Sequence, residues 1–291
     1  IHENLSKDII SSKRDLFYRD VLAFGGQPAV DSIVEDLACT LEVPRECLNV
    51  VAGSRSVVFG SVRMLYDKDD PLDSRCSQTS YNTLVTIPVR FADIVEIEMH
   101  PRTRFVLVIE KEATFGNLIS LGFCETHGPC ILLTSKGFPD QVARRLLKVI
   151  SDMVQEGVFV KKLRRSDTTT PRSSPISVRV SRPLQIPLLA LVDCDPQGIE
   201  IYLAYRCGSI ASAYHNANLA VPGLKCLGQV PSDWDVFLNG PRFLEAFIPL
   251  TERDRRKLER ILTGHPYIRQ HVRWKEQILR MLELNGKTEL Q

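Results

Sequence analysis

The sequence predicts an α/β protein (α+β overall) whose larger part is built on a mainly parallel sheet. Continuous apolar runs, typical of strands that are buried on both faces, occur at residues 105–109, 130–134 and 187–192. Each run is followed by a stretch with helical spacing of apolar residues, at about 112–121, 142–153 and 198–206. Strands that alternate with helices in this way favour parallel pairing through crossover helices.

The first part of the chain carries a different pattern, in which helices precede short β-like runs. Helical spacing of apolar residues predicts one helix over residues 6–24 and a stronger one that starts at Pro28 and ends at Pro44. Two β-like runs follow, at 48–52 and 56–64. Helices followed by a small hairpin favour a winged-helix module, although any small α+β domain would also fit the pattern.

We therefore expect two domains, residues 1–92 and residues 93–291. Two further helices are predicted in the second domain, at about 251–262 and 270–284. The segment 161–183 breaks the rhythm, because it is rich in Lys, Arg, Ser and Thr and has too few apolar residues to order itself. We interpret it as a flexible insertion, either a solvated loop or a basic arm that contacts DNA phosphates.

Composition sets few limits on the partners of the chain. A formal net charge of +2 indicates no particular partner, because nucleic-acid binding depends on local positive surface. The 8 cysteines lack the paired spacing of a zinc site, and no secretory signal is visible, so we read them as reduced thiols in cytosol or nucleus. The apolar runs are too short to span a membrane. The chain begins with Ile, and we expect it to be part of a longer protein.

Three acidic residues follow two of the predicted strands. Glu110 comes directly after the first run, and Asp193 and Asp195 come after the third. Ligands of parallel α/β sheets bind beyond the carboxyl ends of the strands. Carboxylates gathered there repel one another unless a cation neutralises them, and an all-oxygen ligand set suits Mg²⁺. The pattern therefore predicts a metal site at this edge.

The Asp-x-Asp pattern at 193–195 has other interpretations. An EF-hand loop would need an acidic residue at its twelfth position, where Ala204 stands. A phosphatase of the haloacid dehalogenase type also places Asp-x-Asp after a strand, but its further acidic pair would follow a strand, and Asp233 and Asp235 follow no apolar run. A turn capped by the aspartates, with no metal, also remains open.

A tyrosine and a loop complete the candidate chemistry. Arg14 and Tyr18 are four residues apart in the predicted first helix and so share one face. A phenol is a weak nucleophile, and a cationic neighbour would favour its phenolate and bind the phosphate under attack. Lys136 and Gly137 follow the second strand and could bind a phosphate. The plainer interpretation of Tyr18 is an ordinary aromatic residue of an amphipathic helix. The plainer interpretation of Lys136 and Gly137 is an ordinary strand-to-helix turn.

Taken together, these pieces resemble a known family. The motifs stand in family order over nearly the whole chain: Lys13-Arg14-Asp15-Leu16-Phe17-Tyr18, Phe24-Gly25-x-Gln27, Val43-Pro44-Arg45, Val108-Ile109-Glu110-Lys111-Glu112, Ser135-Lys136-Gly137-Phe138-Pro139-Asp140, Leu191-Val192-Asp193-Cys194-Asp195-Pro196-Gln197-Gly198, Pro231-Ser232-Asp233 and Pro249-Leu250-Thr251-x-x-Asp254. The set resembles the eukaryotic meiotic recombination initiators, which are relatives of the topoisomerase VI A subunit.

The resemblance implies a winged-helix (CAP-like) domain that carries the nucleophile, followed by a Toprim domain that carries the metal. It implies that Tyr18 is the nucleophile with Arg14 near the scissile phosphate. It further implies that the metal ligands are Glu110, Asp193 and Asp195, and that the DNA contacts are Lys13, Arg55, Lys136, Gly137 and Phe138. Phe17 stands where many members have a second tyrosine, which leaves one candidate, and Ser54-Arg55-Ser56 replaces the more usual Ser-Lys-Gly.

The implied activity is cleavage of double-stranded DNA through a 5′-phosphotyrosyl link, dependent on Mg²⁺ with Mn²⁺ as a substitute. The resemblance also implies an active site shared between the two protomers of a homodimer. The implied partners are meiotic accessory proteins and a topoisomerase VI B-like subunit, and the implied location is on meiotic chromosomes in the nucleus. Two alternatives remain open: a DNA-binding assembly module that does not cut, and a topoisomerase that reseals the DNA.

Overall fold

The computed structural model describes residues 1–7, 9–43, 45–51, 55–66, 77–163, 184–208, 219–234 and 247–290. The central feature is a six-stranded sheet in which four neighbouring strands are parallel. Its strands, in spatial order, are β10 (Lys225–Gly228), β9 (Leu188–Leu191), β6 (Phe105–Ile109), β7 (Cys130–Thr134), β1 (Val57–Gly60) and β4 (Val85–Thr86). The parallel sheet expected from the apolar runs is confirmed.

Both faces of this sheet are buried, which explains the continuous apolar runs. Val106 and Val108 point into one hydrophobic cluster, whereas Leu107 and Ile109 belong to a second. Alternate residues of a strand face opposite sides of a sheet, so helices must cover both. The helices that do so are α5 (Glu112–Ser120), α6 (Phe123–His127), α7 (Gln141–Glu156) and α8 (Pro196–Cys207). The three crossover helices predicted from sequence are confirmed.

The N-terminal segment forms several short helices where one was expected. They are α1 (His2–Ser6), α2 (Lys13–Arg19) and α3 (Val21–Phe24), followed by α4 (Gln27–Thr40). The prediction of a single helix over 6–24 is wrong because two residues cap new helices. Ser12 and Asp15 form a capping box that starts α2, and the Asp20 side chain accepts a hydrogen bond from Ala23 N–H to start α3. The helix predicted from Pro28 is confirmed.

Among the described residues, the two β-like runs predicted after these helices do not pair with each other as a hairpin. In the first predicted run, 48–52, Leu48 ends a 3-10 helix (Arg45–Leu48) and Val50 forms an isolated bridge with Ser11, while Ala52 lies outside the described residues. The run 56–64 splits at Ser61, because β1 joins the central sheet beside β7 and β2 (Val62–Tyr66) joins another. Gly60 allows the close approach, since a Cβ there would lie 2.1 Å from the Cys130 carbonyl oxygen. The winged-helix assignment and the domain boundary at 92/93 therefore stay predictions.

A second sheet lies beside the first. Its strands, in spatial order, are β3 (Ser77–Gln78), β2, β5 (Ile94–Met99) and β8 (Val160–Lys162), all antiparallel. β8 contains the first two residues of the predicted insertion 161–183, so that prediction begins too early. Lys161 and Lys162 pair with Ile97 and Glu96 at the sheet edge, where long charged side chains are well tolerated. Residues 164–183 lie outside the described residues.

The C-terminal part packs three helices against α8 and adds a small two-stranded ribbon. The helices are α9 (Glu252–Gly264), α10 (Pro266–Gln270) and α11 (Val272–Leu284), and the ribbon pairs β11 (Phe247–Pro249) with β12 (Gly286–Thr288). Both helices predicted here are confirmed, and Thr251 caps α9 in a capping box with Asp254. No helix in the described residues is both long enough and apolar enough to cross a membrane.

Candidate active site

The candidate site lies where three adjacent parallel strands end. Glu110 follows β6, Lys136 lies in the turn after β7, and Asp193 follows β9. β6 is the middle strand, so its end contacts both neighbours: Gly137 N–H donates to the Glu110 carbonyl oxygen at 2.9 Å, and Asp193 N–H donates to Glu110 Oε2 at 2.9 Å. The sheet edge therefore brings these motifs together, as the strand pattern predicted.

Glu110 is the most enclosed of the predicted ligands. It is only 9% exposed, and burial, together with the charges of Asp193 and Asp195, raises its pKa to about 7, although the Asp193 N–H bond acts in the opposite direction. Burial also raises the pKa of Asp193. These neighbouring acids oppose one another's ionisation, which is the electrostatic condition that a bound cation would relieve.

The two aspartates already have backbone partners. Asp193 Oδ1 accepts a 2.7 Å hydrogen bond from Leu290 N–H, and Asp195 Oδ1 accepts a 2.6 Å bond from Gly198 N–H as the N-cap of α8. Among the described residues, no group of three or more His, Cys, Asp or Glu side chains is close enough to hold a metal ion. The carboxylate donors fit Mg²⁺ chemically, since this ion keeps several waters and needs few protein ligands.

The turn after β7 carries the predicted DNA contacts. Lys136 and Gly137 both have positive φ, 55° and 110°, which turns the chain sharply at the end of the strand. The Lys136 ammonium pairs with Glu112 at 2.7 Å, and Phe138 is exposed. Arg55 lies beside this turn, since its backbone N–H donates to Asp140 Oδ2 at 3.2 Å. These predicted contacts therefore share one surface, while their role stays a prediction.

Tyr18 lies on the exposed face of α2. Its side chain is 68% exposed and its ring centroid lies 5.5 Å from that of Phe17. Arg14, one helical turn earlier, is also exposed, so the phenol and the guanidinium are both open to a substrate. Leu16 points the other way, into a small core that also contains Val30, Val34, Ala38, Leu48 and Val50. Packing of α2 on α4 thus presents Tyr18 outward.

Lys13 differs from the other predicted DNA contacts. Its ammonium pairs with Glu35 at 2.8 Å and lies 3.7 Å from Asp31, and its side chain is largely covered. Both acids belong to α4, so the pair links α2 to α4. A salt bridge within the N-terminal fold is therefore the role that the structure gives to Lys13, and its assignment as a DNA contact stays a prediction.

Sequence reasoning missed two features of the site. Lys111 directly follows Glu110, and its ammonium donates to the Leu290 carbonyl oxygen at 2.8 Å. The segment 286–290, which supplies that carbonyl, contributes to the acidic site through its backbone. Adjacency to Glu110 could have marked Lys111. Backbone contacts leave no mark in the side-chain pattern, so nothing in the sequence could have marked the segment.

Comparison with known proteins assigns the chain to a family. A model described as the Toprim domain of the topoisomerase 6 A subunit and Spo11 matches residues 105–161 and 176–291. A second model, described as type IIB DNA topoisomerase, matches residues 1–50. The chain belongs to the topoisomerase 6 A-subunit/Spo11 family. The resemblance noted from the motifs is thereby confirmed, and the Toprim match covers the parallel strands β6, β7, β9 and β10.

Curated members of the topoisomerase 6 A-subunit/Spo11 family match along the whole chain. The meiotic recombination protein SPO11 of Mus musculus is 32% identical over 291 residues, which are 100% of this chain and 63% of the relative. The A3 subunit of DNA topoisomerase 6 from Oryza sativa subsp. indica is 33% identical over 291 residues, 100% of this chain and 57% of the relative. The chain thus spans less than two thirds of these relatives. The Toprim match supports metal binding in general terms and names no particular metal.

Proposed function

We propose that the protein is a DNA-cleaving transesterase that makes meiotic double-strand breaks through a 5′-phosphotyrosyl intermediate. The observation that carries the proposal is that a chain of this family presents an exposed Tyr18 beside Arg14 and has Glu110 linked to Asp193 at the carboxyl edge of a parallel sheet. Tyr18 with Arg14 suits attack on phosphorus. Glu110 with Asp193 suits the binding of a cation that stabilises negative charge.

In the proposed step, Tyr18 Oη forms a bond to a backbone phosphorus as the bond from phosphorus to the 3′ oxygen breaks. The phenolic proton passes to solvent, and the leaving 3′ oxygen takes up a proton. One phosphodiester replaces another, so the chemistry needs no ATP. The Arg14 guanidinium would bind the phosphate and stabilise the charge that develops on it.

Glu110, Asp193 and Asp195 would hold Mg²⁺, with Mn²⁺ as a substitute. When bound, the ion would supply positive charge at the phosphate and at the leaving oxygen. The three carboxylates bring negative charge to a partly buried edge, and the buried Glu110 carries a raised pKa. Lys111 lies close enough to offset part of that charge in the absence of the ion.

The proposed active site is shared between two protomers, so that the tyrosine of one copy meets the acids of another. A double-strand break then needs two copies with two-fold symmetry on double-stranded DNA. Meiotic accessory proteins and a topoisomerase VI B-like subunit would complete the assembly on chromosomes in the nucleus. Exposure of Tyr18 on a helix outside the acidic edge is consistent with this arrangement.

A second candidate function is strand passage followed by resealing. It is favoured by the relatives from Oryza sativa subsp. indica and Arabidopsis thaliana, which are named as the A3 subunit and the A subunit of DNA topoisomerase 6. The two functions share the phosphotyrosyl step and differ in the fate of the broken strands. Closed, relaxed circles among the products would favour resealing, whereas broken DNA that stays joined to protein would favour meiotic initiation.

The test is transfer of labelled DNA to the protein. Purified protein is incubated with internally labelled supercoiled DNA and Mg²⁺ or Mn²⁺, then denatured and treated with nuclease. We expect label on the wild type and on Tyr267→Phe, a control that removes a phenol in α10, and none on Tyr18→Phe. Equal label on Tyr18→Phe would reject Tyr18 as the nucleophile. A wild type that binds DNA and takes no label would favour a non-cutting assembly module.

Sharing of the site is tested with mixed protomers. Tyr18→Phe protein lacks the nucleophile, and Glu110→Ala protein lacks a metal ligand, so neither should cut alone. A hybrid dimer retains one complete site if the tyrosine and the acids come from different protomers, and it should then nick one strand. If the hybrid behaves like either parent and gives no nicks, the shared arrangement is wrong.

A further inference from the structure

Residues 286–290 connect the two strand ends that carry the proposed metal ligands. Leu290 N–H donates to Asp193 Oδ1 at 2.7 Å, and the carbonyl oxygen of the same residue accepts from Lys111 Nζ at 2.8 Å. Asp193 follows β9, and Lys111 follows Glu110 at the end of β6. One residue of the backbone therefore contacts both strand ends.

The segment is held in place by contacts away from the acids. β12 pairs with β11, and Lys287 forms a 3.0 Å salt bridge with Asp254. Thr288 exchanges two backbone hydrogen bonds with Cys194, of 2.9 and 3.1 Å, and its hydroxyl donates to Gln229 at 2.8 Å. These bonds hold residues 286–288, and none of them uses a proposed metal ligand.

Gly286 allows β12 to lie close to Phe247 of β11. A Cβ at that position would lie 1.7 Å from the Phe247 ring, which packs edge-on against Trp234, so any side chain would force either the ring or β12 to move. The glycine is buried, and the space where its Cβ would stand is occupied by the tip of the Phe247 ring. The close approach is therefore a requirement of the segment's position and offers a second way to perturb it.

We propose that residues 286–290 act as a positioning element for the acidic site, with Leu290 N–H orienting the Asp193 carboxylate. The proposal deepens the proposed function, on which it rests, by adding a residue that touches neither substrate nor cation. A carboxylate has two oxygens, so it can accept this hydrogen bond on one and bind a cation through the other. Hydrogen bonds to ligating carboxylates fix their orientation, and loss of such partners typically costs about 10–100-fold in metal affinity.

The contact comes from the main chain, which makes the test specific to one atom. Leu290→Pro removes the N–H and keeps an apolar side chain, whereas the matched control Leu290→Ala keeps the N–H and shortens the side chain. Mn²⁺ affinity of the full chain is measured without DNA, from the electron paramagnetic resonance signal of the free ion. We expect binding about tenfold weaker in Leu290→Pro and within about twofold of wild type in Leu290→Ala.

A second variant tests the proposal independently in case Leu290→Pro does not fold. Gly286→Ala disturbs the packing of β12 against Phe247 without altering residue 290 and should also weaken Mn²⁺ binding. The added change Phe247→Ala makes room for the methyl group and should restore part of the affinity. Circular dichroism and thermal unfolding establish which variants are folded. Wild-type affinity in folded Leu290→Pro or in folded Gly286→Ala would overturn the proposal.

The experiment also separates this inference from the proposed function. A wild-type chain that binds no Mn²⁺ would reject the metal site itself, and the positioning role with it. A wild type that binds Mn²⁺, together with variants that bind it equally well, would reject the positioning role alone. Covalent labelling of Tyr18 is a separate assay that reports the cleavage step, whereas Mn²⁺ affinity reports the metal site directly.

Discussion

Asp193 N–H donates a 2.9 Å hydrogen bond to Glu110 Oε2, which joins the ends of β9 and β6. The bond holds the Glu110 side chain against the backbone of the strand that carries the other two acids. Because the contact uses a side-chain oxygen and a main-chain N–H, it depends on the register of the parallel strands, in which Ile109 lies beside Leu191.

Divalent cations should stabilise the wild-type fold through this site. At a Mg²⁺ concentration near 100 times the dissociation constant, binding adds about 2.7 kcal/mol to the free energy of unfolding, which should raise Tm by several degrees. Glu110→Gln keeps an oxygen that can accept from Asp193 N–H but removes one negative charge, so its Tm should rise much less. Calorimetry with and without Mg²⁺ measures the Tm shift of the wild type and of Glu110→Gln. Equal Tm shifts in the two proteins would mean that the cation binds elsewhere.

Gly198 should tolerate no side chain. A Cβ there would lie 2.1 Å from the Asp193 carbonyl oxygen, so Gly198→Ala must displace the turn that carries the acids. We expect a loss of about 1–3 kcal/mol in the free energy of unfolding, as for other overpacked sites, together with weaker Mn²⁺ binding. Urea unfolding and Mn²⁺ titration measure the two effects.

Gly116 is the matched control for that change. It lies inside α5, is exposed, and has nothing within 4 Å of an added Cβ. Gly116→Ala should therefore stabilise the protein by up to about 1 kcal/mol, through helix propensity alone. Similar losses at both glycines would show that close approach to Asp193 is not the cause.

A buried chain of hydroxyls should behave as one unit. Ser56 Oγ donates to Ser135 Oγ at 2.9 Å, and Ser135 Oγ lies 2.9 Å from the Tyr205 hydroxyl, whose pKa is raised by burial. Tyr205→Phe should cost about 1 kcal/mol in the free energy of unfolding. Combined with Ser56→Ala, the losses should depart from additivity by at least about 0.5 kcal/mol.

The control for this coupling is a separate buried pair, in which the Ser61 and Thr103 hydroxyls lie 2.9 Å apart. Ser61→Ala combined with Tyr205→Phe should give additive losses, because the two pairs share no partner. Urea unfolding of the single and double variants gives the comparison. Additive losses for Ser56→Ala with Tyr205→Phe would mean that the hydroxyl chain does not act cooperatively.

Lys136 and Glu112 should have opposite effects on DNA binding. The two side chains form a 2.7 Å salt bridge, so Lys136 must exchange this partner for a phosphate when it binds DNA. Lys136→Ala should weaken binding and reduce the slope of log affinity against log salt by about 1. Glu112→Gln releases the ammonium and should strengthen binding at low salt. Filter binding over a range of salt concentrations measures both, and a decrease in both variants would contradict the exchange.

The elements of the parallel sheet could be predicted closely because their sequence signal is local. The strands Phe105–Ile109 and Cys130–Thr134 have the bounds that their apolar runs indicated, since both faces of these strands are buried. Motifs at strand ends could be placed for the same reason, because parallel strands present their carboxyl ends at one edge. Glu110 and Asp193 were thus expected together, and they are.

Prediction failed in two places, once because of distant strand partners and once because of local capping. The run at 56–64 has strand composition throughout, but Ser61 divides it between two sheets, because β7 pairs with one half and β5 with the other. The single helix predicted over 6–24 failed through capping, since Ser12 and Asp20 offered the backbone better partners than a continuous helix.

The sequence by itself determined the family, the parallel core and the order of the acidic motifs, because each depends on residue type and short-range spacing. Only the tertiary structure decided that Lys13 pairs with Glu35, and that Leu290 contacts both Asp193 and Lys111. The contacts of Leu290 use backbone atoms, which every residue except proline carries alike. Such contacts have no sequence signature, and they arise only when β12 is seated beside β11 and Cys194.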